Sequence, residues 1–395
     1  MNWIYFNEEH MMLRNMVREF AINEIKPLAQ KIDNEGLFPE ESIQKMAELG
    51  LMGIPWDTKY GGNNMDTLSL VIAIEEIGKV CASTAATMMA HTSLGTAPIA
   101  VFGTEEQKEK YLKPLLNGDI RSCFAMTEPD YAGSNPLEMG TIATKGEKNY
   151  TINGHKWFTS GFDGAEFAIV MLISNPGSEN PYKKASQIIV PTKTEGVEFV
   201  RNIQIMGHSG GGWESHSEIR FNDVKVPLTN ILGDDGEGFS IAQKRLGPGR
   251  IHHCMRWIGI CERSFDLMCN RAMTRKLAYG KKLADKQIIQ NWISECRAEI
   301  NAARLLVQDA AKKIDTHGSY NSRNEISIIK FYCANVLQKV VDCAIQVHGA
   351  KGVTDDTILA AYYRHERAAR IYDGADEVHK SSLAKQILKK YDNIN

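Results

Sequence analysis

The chain has 395 residues, of which 43% are hydrophobic and 24% charged, and its formal net charge is −2. That length supports two or three domains or one large multilayer fold, and the near-neutral balance gives no electrostatic basis for binding nucleic acid or an anionic membrane. No run of about 18 apolar residues occurs, which argues against a membrane span.

The first 20 residues, MNWIYFNEEHMMLRNMVREF, turn amphipathic and acidic at once. They lack the basic and apolar regions of a secretory leader and the Arg-rich look of a transit peptide, so the cytoplasm is the expected compartment. From Asn7 to about Asp119 the pattern is helical, with Met11, Leu13, Met16, Val17, Phe20, Ile22 and Ile25 on one broad apolar face. Pro39, Gly50, Pro55, Gly61 and Gly62 then punctuate shorter helices.

From about Arg121 to Gly233 the texture changes to short β-rich runs: SCFAMTE, NYTINGHKWF, EFAIVMLI, QIIVP, VEFVRNIQI and SEIRFNDVKVP. Asn153-Gly154 between alternating segments predicts a hairpin turn. Short strands with turns between them predict an antiparallel sheet or barrel rather than a parallel βαβ sheet. From EGFSIAQKRL onward long helical segments return with sustained apolar spacing, the pattern of a helix bundle. The expected organisation is α+β: an N-terminal helical domain (1–120), a middle β domain (121–233) and a C-terminal helix bundle (234–395).

The eight cysteines form no C-x-x-C and mostly occupy apolar helical runs, as free thiols in a reducing compartment do. His252–Cys254 invites a metal reading, but adjacent side chains on a helix diverge by about 100°, so no metal site is expected there. No G-x-G-x-x-G follows a strand, and neither a G-x-S-x-G elbow nor H-E-x-x-H occurs. GPGR at Gly247–Arg250 reads as a helix break, and HSGGGWES at His208–Ser215 as a hairpin loop without the Lys-Ser/Thr of a phosphate cradle. Near the end, RIYDGADEVHKSSLAKQIL places Asp373 where it reads locally as a helix cap with an acidic first turn.

FAMTEPDYAGSN differs from these. A short strand runs into a turn rich in hydroxyls and backbone amides, at the α-to-β junction, and GHKWFTSG follows. Together they resemble the paired flavin-binding signatures of the acyl-CoA dehydrogenase family. The resemblance spans essentially the whole chain, in the family's order: ELGLMGIPWDTKYGG, TEPDYAGS, INGHKWFTS, FNDVKVPLTNILGDDGEGF, GPGR, GKKLADKQIIQ, QVHGAKGV and YDGADEVH. GPGRIHHCMR with DGADEVH is most similar to a subgroup carrying aspartate where most members carry glutamate.

The resemblance implies the family's fold, with a central antiparallel β-barrel or sandwich and a C-terminal four-helix bundle, FAD as cofactor and oxidation of the Cα–Cβ bond of an acyl-CoA thioester. A carboxylate takes the α-proton, the β-hydrogen leaves as hydride, and the thioester oxygen is stabilised as charge develops. Asp373 matches the base, and Gly374 its neighbour against the substrate. Phe124, Met126, Thr127, Gly133 and Ser134 match flavin-contacting positions, and Ser134 also matches a position meeting the CoA chain. Trp157 and Thr159 match residues flanking the isoalloxazine, Ala375 and Glu377 follow the base in a flavin-touching segment, and Arg250 matches an arginine near acyl-CoA. Arg275, Gln287, Gln346 and Gly349 match residues reaching FAD bound mainly to a neighbouring subunit, which implies a homo-oligomer, a dimer of dimers. An electron-transfer flavoprotein is the implied acceptor.

Four departures from the common pattern stand out. TEPDYAGS and TRKLAYGKK each carry one extra residue, the second leaving Arg275 and Lys276 as alternatives facing the flavin. Gly249 stands where isovaleryl-type members place their base, which leaves Asp373. Asp373 itself is shorter than glutamate by one C–C bond, about 1.5 Å. A flavin oxidase of the nitroalkane-oxidase kind and a non-enzymatic acyl-CoA-binding protein remain alternatives at this point.

Overall fold

Helix formation begins where a cap is available. In the computed structural model, which describes residues 4–35, 38–135, 137–210 and 215–391, the Asn7 side chain accepts the His10 amide at 2.8 Å while His10 Nδ1 takes the Asn7 amide at 3.2 Å. This reciprocal pair satisfies donors that a helix N-terminus leaves open. In chain order the helices are α1 (Glu8–Phe20), α2 (Lys26–Glu35), α3 (Glu40–Glu48), α4 (Thr67–Gly78), α5 (Ala82–Ala90), α6 (Thr96–Phe102), α7 (Glu105–Gln107) and α8 (Lys113–Leu116). After the strands come α9 (Gly238–Thr274), α10 (Gln287–Asn321), α11 (Arg323–His348), α12 (Leu359–Glu366) and α13 (Asp376–Leu388). The strands are β1 (Ser122–Ala125), β2 (Ile142–Lys145), β3 (Asn149–Ser160), β4 (Phe167–Ile173), β5 (Ala185–Pro191), β6 (Val197–Asn202) and β7 (His216–Pro227). The chain forms two compact units: Met1–Glu35 with Asp66–Ala86 and Arg250–Asn395, and Gly36–Met65 with Thr87–Gly249.

The first unit is helical. Helix α4 is apolar nearly all round and correspondingly buried. It packs on α1 and α10; α10 packs on α11, and α11 on α12 and α13. Its two buried carboxylates are paired, Glu75 with Arg304 and Lys79, and Glu76 with Arg14 and Arg18. The break expected at Gly247–Arg250 is not there: Pro248 lies inside α9. Proline in a helix interior costs roughly 3 kcal/mol. The buried run Ile251, Cys254, Met255, Trp257 and Ile258 on the same helix offsets that at about 1.5–3 kcal/mol per large apolar side chain.

The second unit holds the sheet, in the order β1-β4-β2-β3-β7-β6 with β5 on the other edge of β4. Strands β2–β3, β3–β7, β4–β5 and β6–β7 pair antiparallel, as the short-strand texture predicts. The sheet is nevertheless mixed, because β1 runs parallel to β4 and β2 meets β4 parallel at Ile142–Ile173. A parallel return needs about a dozen intervening residues, and the stretch holding β2 and β3 supplies them. Strand β4 is buried on both faces, which explains its unbroken apolar run. Phe167, Ile169, Met171 and Ile173 face a core with Ile99, Tyr111, Leu112 and Leu115. Ala168, Val170 and Leu172 face a second core with Tyr150, Ile152, Phe221 and Val224.

Asn153-Gly154 is not a hairpin turn. Both residues lie within β3, at a register shift against β7. A Cβ on Gly154 would sit 2.6 Å from Thr141 Cα, so this glycine serves close backbone approach and a bulge rather than chain reversal. Of the loop expected at His208–Ser215, residues 211–214 lie outside the described residues. Among the described residues no helix is long and apolar enough to cross a membrane.

Candidate active site

In the first unit, α12 ends at Glu366 and a short turn carries the chain to α13 through Tyr372, Asp373 and Gly374. Asp373 has φ +52° and Gly374 φ +99°. Gly374 is required there, since a Cβ would lie 2.7 Å from His379 Nε2. For Asp373 the left-handed conformation is an uncommon one that the surroundings must hold. They do so through the main chain: Arg250 Nε donates to the Asp373 carbonyl at 2.9 Å, and His379 Nε2 approaches the same oxygen at 3.1 Å. Lys330, fully buried, donates to the carbonyls of Ala369 at 2.7 Å and Gly374 at 3.3 Å.

Tyr372 is anchored from beneath. Its hydroxyl accepts from Trp257 Nε1 at 3.1 Å and Arg256 Nη2 at 3.2 Å, and the Arg256 guanidinium is held by a buried two-point pair with Glu366. Asp373 is not the cap of α13. The capping position is Ala375, without a side-chain cap, and Asp376 and Glu377 form the acidic first turn. Asp376 Oδ2 is taken by Arg370 at 2.8 Å and Asn335 at 3.0 Å, while the Asp373 side chain stays 22% exposed, with His253 Nε2 3.3 Å from Oδ2. The local cap reading of Asp373 thus gives way to a strained turn presenting a carboxylate. Burial pushes the His253 imidazole down to about 3 and that of His379 to about 4.

The other predicted residues of this unit lie at the surface. Gln287 opens α10 and is exposed, as are Gln346 near the end of α11 and Arg275 and Lys276 beyond α9. Gly349 follows α11 with φ +63° and nothing within 4 Å of where a Cβ would be. Ala375 is half-buried and Glu377 exposed.

In the second unit, β1 delivers Phe124 and then Met126 and Thr127. Phe124 is buried under the Arg245 guanidinium, 4.3 Å from the ring centre. The loop that follows is stapled to β3. Lys156, with no exposed surface, donates to the Met126 carbonyl and to Glu128 Oε1, both at 2.8 Å. Glu128 also accepts the amides of Gly140 at 2.5 Å and Thr141 at 2.9 Å, and the Trp157 amide donates to the Thr127 carbonyl at 3.0 Å. Burial pulls Lys156 down to about 8, with Glu128 opposing it. Burial also acts to raise Glu128, but Lys156 and the two amides bring it below the ordinary carboxylate range, so the pair is ionised at neutral pH.

The staple holds Gly133 and Ser134 in an exposed turn and seats Trp157 and Thr159 on either side of Phe158, whose φ is +50°. Trp157 Nε1 and Thr159 Oγ1 are buried and have no hydrogen-bond partner among the described residues. Leaving such a group unpaired costs about 1–3 kcal/mol. These two orphans, beside a loop of hydroxyls and amides, fit a polar heteroaromatic group such as a flavin. A separate cavity of about 130 Å³ lined by Phe38, Glu40, His91, Arg121 and Glu166 contains none of the predicted residues.

Sequence reasoning missed His253, His379 and Lys330 around Asp373, and the Lys156–Glu128 staple. One signal was available: Lys156 sits at an inward position of an alternating strand, where an unpaired lysine is not tolerated. His253 and Lys330 left no such mark, because they reach the turn from distant helices, and His379, although near in sequence, meets the Asp373 carbonyl only once the turn and α13 are formed.

Family models described as the N-terminal, middle and C-terminal domains of acyl-CoA dehydrogenase match residues 7–119, 123–224 and 236–388. The chain is 45% identical over 287 residues to "Acyl-CoA dehydrogenase family member 11" of Gallus gallus, covering 72% of this chain and 37% of that protein. It therefore spans little more than a third of that relative's length. It is also 45% identical over 295 residues to "Probable acyl-CoA dehydrogenase FadE2" of Mycobacterium tuberculosis, covering 73% of this chain and 71% of that one. Among solved structures, butyryl-CoA dehydrogenase from Megasphaera elsdenii matches with a TM-score of 0.88 at 30% identity, covering 98% of this chain and 100% of that one.

Proposed function

This chain belongs to the acyl-CoA dehydrogenase family, and we propose that it is an FAD-dependent enzyme oxidising the Cα–Cβ bond of an acyl-CoA thioester to the trans-2-enoyl-CoA. Bound FAD supplies the acceptor for the β-hydrogen. Asp373 is the base for the α-proton. The observation carrying this reading is the turn at Asp373: a residue in a costly backbone conformation, clamped through its carbonyl by Arg250 and His379, that caps no helix. Strain of this kind, of order 1–3 kcal/mol, persists where the surroundings over-determine it, and it clusters at reacting groups.

Arg250 has a second duty in this reading. Its guanidinium fixes the base's main chain while its remaining N–H groups face bound acyl-CoA, with Gly374 close to the thioester. Phe124, Met126, Thr127, Gly133, Ser134, Trp157, Thr159, Ala375 and Glu377 are proposed to hold the flavin, and Ser134 also the CoA chain. The exposure of Arg275, Gln287, Gln346 and Gly349 supports their use toward a cofactor in a neighbouring subunit, hence a dimer of dimers. An electron-transfer flavoprotein as acceptor, a place in fatty-acid β-oxidation, a cytoplasmic location and the division at 120 and 233 complete the proposal.

Anaerobic flavin bleaching against short, medium, long, branched and hydroxylated acyl-CoAs tests it. Wild-type protein bleaches with at least one class, and Asp373→Asn keeps FAD and binds acyl-CoA but bleaches at least about a thousandfold more slowly. Normal bleaching by Asp373→Asn removes the base assignment. Rapid reoxidation by air with no response to any acyl-CoA removes the dehydrogenase reading.

A further inference from the structure

His253 is the middle residue of a triplet whose side chains diverge along α9. His252 and Cys254 are buried, whereas His253 Nε2 lies 3.3 Å from Asp373 Oδ2. Its ring packs against Tyr372 at 4.7 Å and Trp257 at 5.8 Å between centres, so two aromatic neighbours set its plane. Its Nδ1 is buried and has no hydrogen-bond partner among the described residues. Burial keeps the ring neutral, and a neutral imidazole carries a single N–H. Facing a carboxylate, that proton belongs on Nε2, since the other tautomer would set lone pair against lone pair.

Arg250 and His379 take the Asp373 carbonyl and Lys330 that of Gly374, whereas His253 approaches the carboxylate itself. We infer that His253 is a positioning residue for Asp373, its Nε2–H holding one carboxylate oxygen and so fixing the orientation of the group that takes the substrate proton. The inference rests on the reading of Asp373 as the base. It also gives a use to a histidine that the metal reading of His252–Cys254 could not accommodate. The donor has two effects: it orients the carboxylate, and it favours the anion over the acid.

The test compares His253→Phe with His253→Gln in the FAD-loaded protein, by stopped-flow anaerobic bleaching across pH with an acyl-CoA that the wild type accepts. Phenylalanine keeps the packing and loses the donor. Glutamine places an amide N–H the same number of bonds from Cα. The charged and titratable groups around Asp373 are Arg250, His252, Cys254 and Arg256 on α9, Lys330 on α11, Glu366 on α12, Tyr372, and Asp376 and His379 on α13. All of them are unchanged in both variants.

His253→Phe is expected to lower the limiting bleaching rate about tenfold and to move the acidic limb of the profile up by about one pH unit. Acyl-CoA affinity stays within about twofold, and His253→Gln recovers most of both losses. Two results overturn the inference: a His253→Phe profile that coincides with wild type, or a His253→Gln as slow as His253→Phe with the acidic limb unmoved in either. Asp373→Asn, run alongside, keeps the two claims apart. Its normal bleaching brings down the base assignment and this inference together, whereas its loss of bleaching beside an unaffected His253→Phe brings down only the role of His253.

Discussion

Replacing Gly374 by alanine probes the turn at one atom. Gly374 has φ +99°, and putting an L residue into left-handed space costs about 1–2 kcal/mol. The added Cβ would lie 2.7 Å from His379 Nε2, so the imidazole must swing away and lose its contact with the Asp373 carbonyl, about 0.5–1.5 kcal/mol more. The sum is about 1.5–3.5 kcal/mol of local destabilisation. The functional effect is larger on the proposed role of Asp373, because the turn relaxes at the residue proposed as the base, and a displacement of about 1 Å at a reacting group costs on the order of a hundredfold in rate. The expected Gly374→Ala protein therefore binds FAD, melts several degrees below wild type and bleaches about a hundredfold more slowly under saturating acyl-CoA. Spectroscopic titration of bound flavin, thermal melting and single-turnover bleaching measure these separately. A variant that melts like wild type and bleaches at its rate would refute the claim that the turn is held under strain by its neighbours.

Two further outcomes follow from buried charge. Lys156→Met leaves Glu128 buried without its partner, a loss of about 3–5 kcal/mol, and should release the loop bearing Gly133 and Ser134. Weak flavin retention on gel filtration, restored in part by adding Glu128→Gln, is the expected result, and full retention in the single variant would contradict it. The second outcome concerns acid. Burial brings His91, His252 and His379 down to about 4 from an ordinary 6.5, and His253 to about 3. Between these values the unfolded chain binds protons that the fold refuses, so this stability is complete above about pH 6.5 and is lost as pH falls toward 4. Melting midpoints recorded from pH 8 to 4 should fall across that window, less steeply in His252→Asn; a flat profile would show that the imidazoles are not held neutral.

The helix–sheet–helix organisation was legible because it is written in hydrophobic period. The run FAIVMLI in β4 was legible as a strand from its shortness and β-branched content, and the structure places a separate core on each of its faces. What could not be read depended on partners distant in sequence. Asn153-Gly154 carries the local chemistry of a turn, yet Thr141 lies against Gly154 and the strand continues. Pro248 carries the local chemistry of a break, yet the burial of the helix around it prevails. The parallel pairing of β1 with β4 left no trace in either strand, since pairing direction follows from the connection between strands and not from their composition.

Asp373 shows the same division at the scale of one residue. Its place before a glycine and an acidic helix start was visible, and that pattern alone favours a cap. Its positive φ was not visible, because aspartate visits left-handed space only as an occasional single residue and nothing in the local pattern marks which one does. The groups that hold the turn come from α9, α11 and α13 and act on carbonyl oxygens. This bears on the missing methylene. On the proposed role of Asp373, a base shorter by about 1.5 Å is carried forward by its own backbone, and a backbone carried into an unfavourable conformation must be tied down. Three cationic or imidazole donors, Arg250, His379 and Lys330, tie the turn here at the carbonyls of Asp373, Ala369 and Gly374.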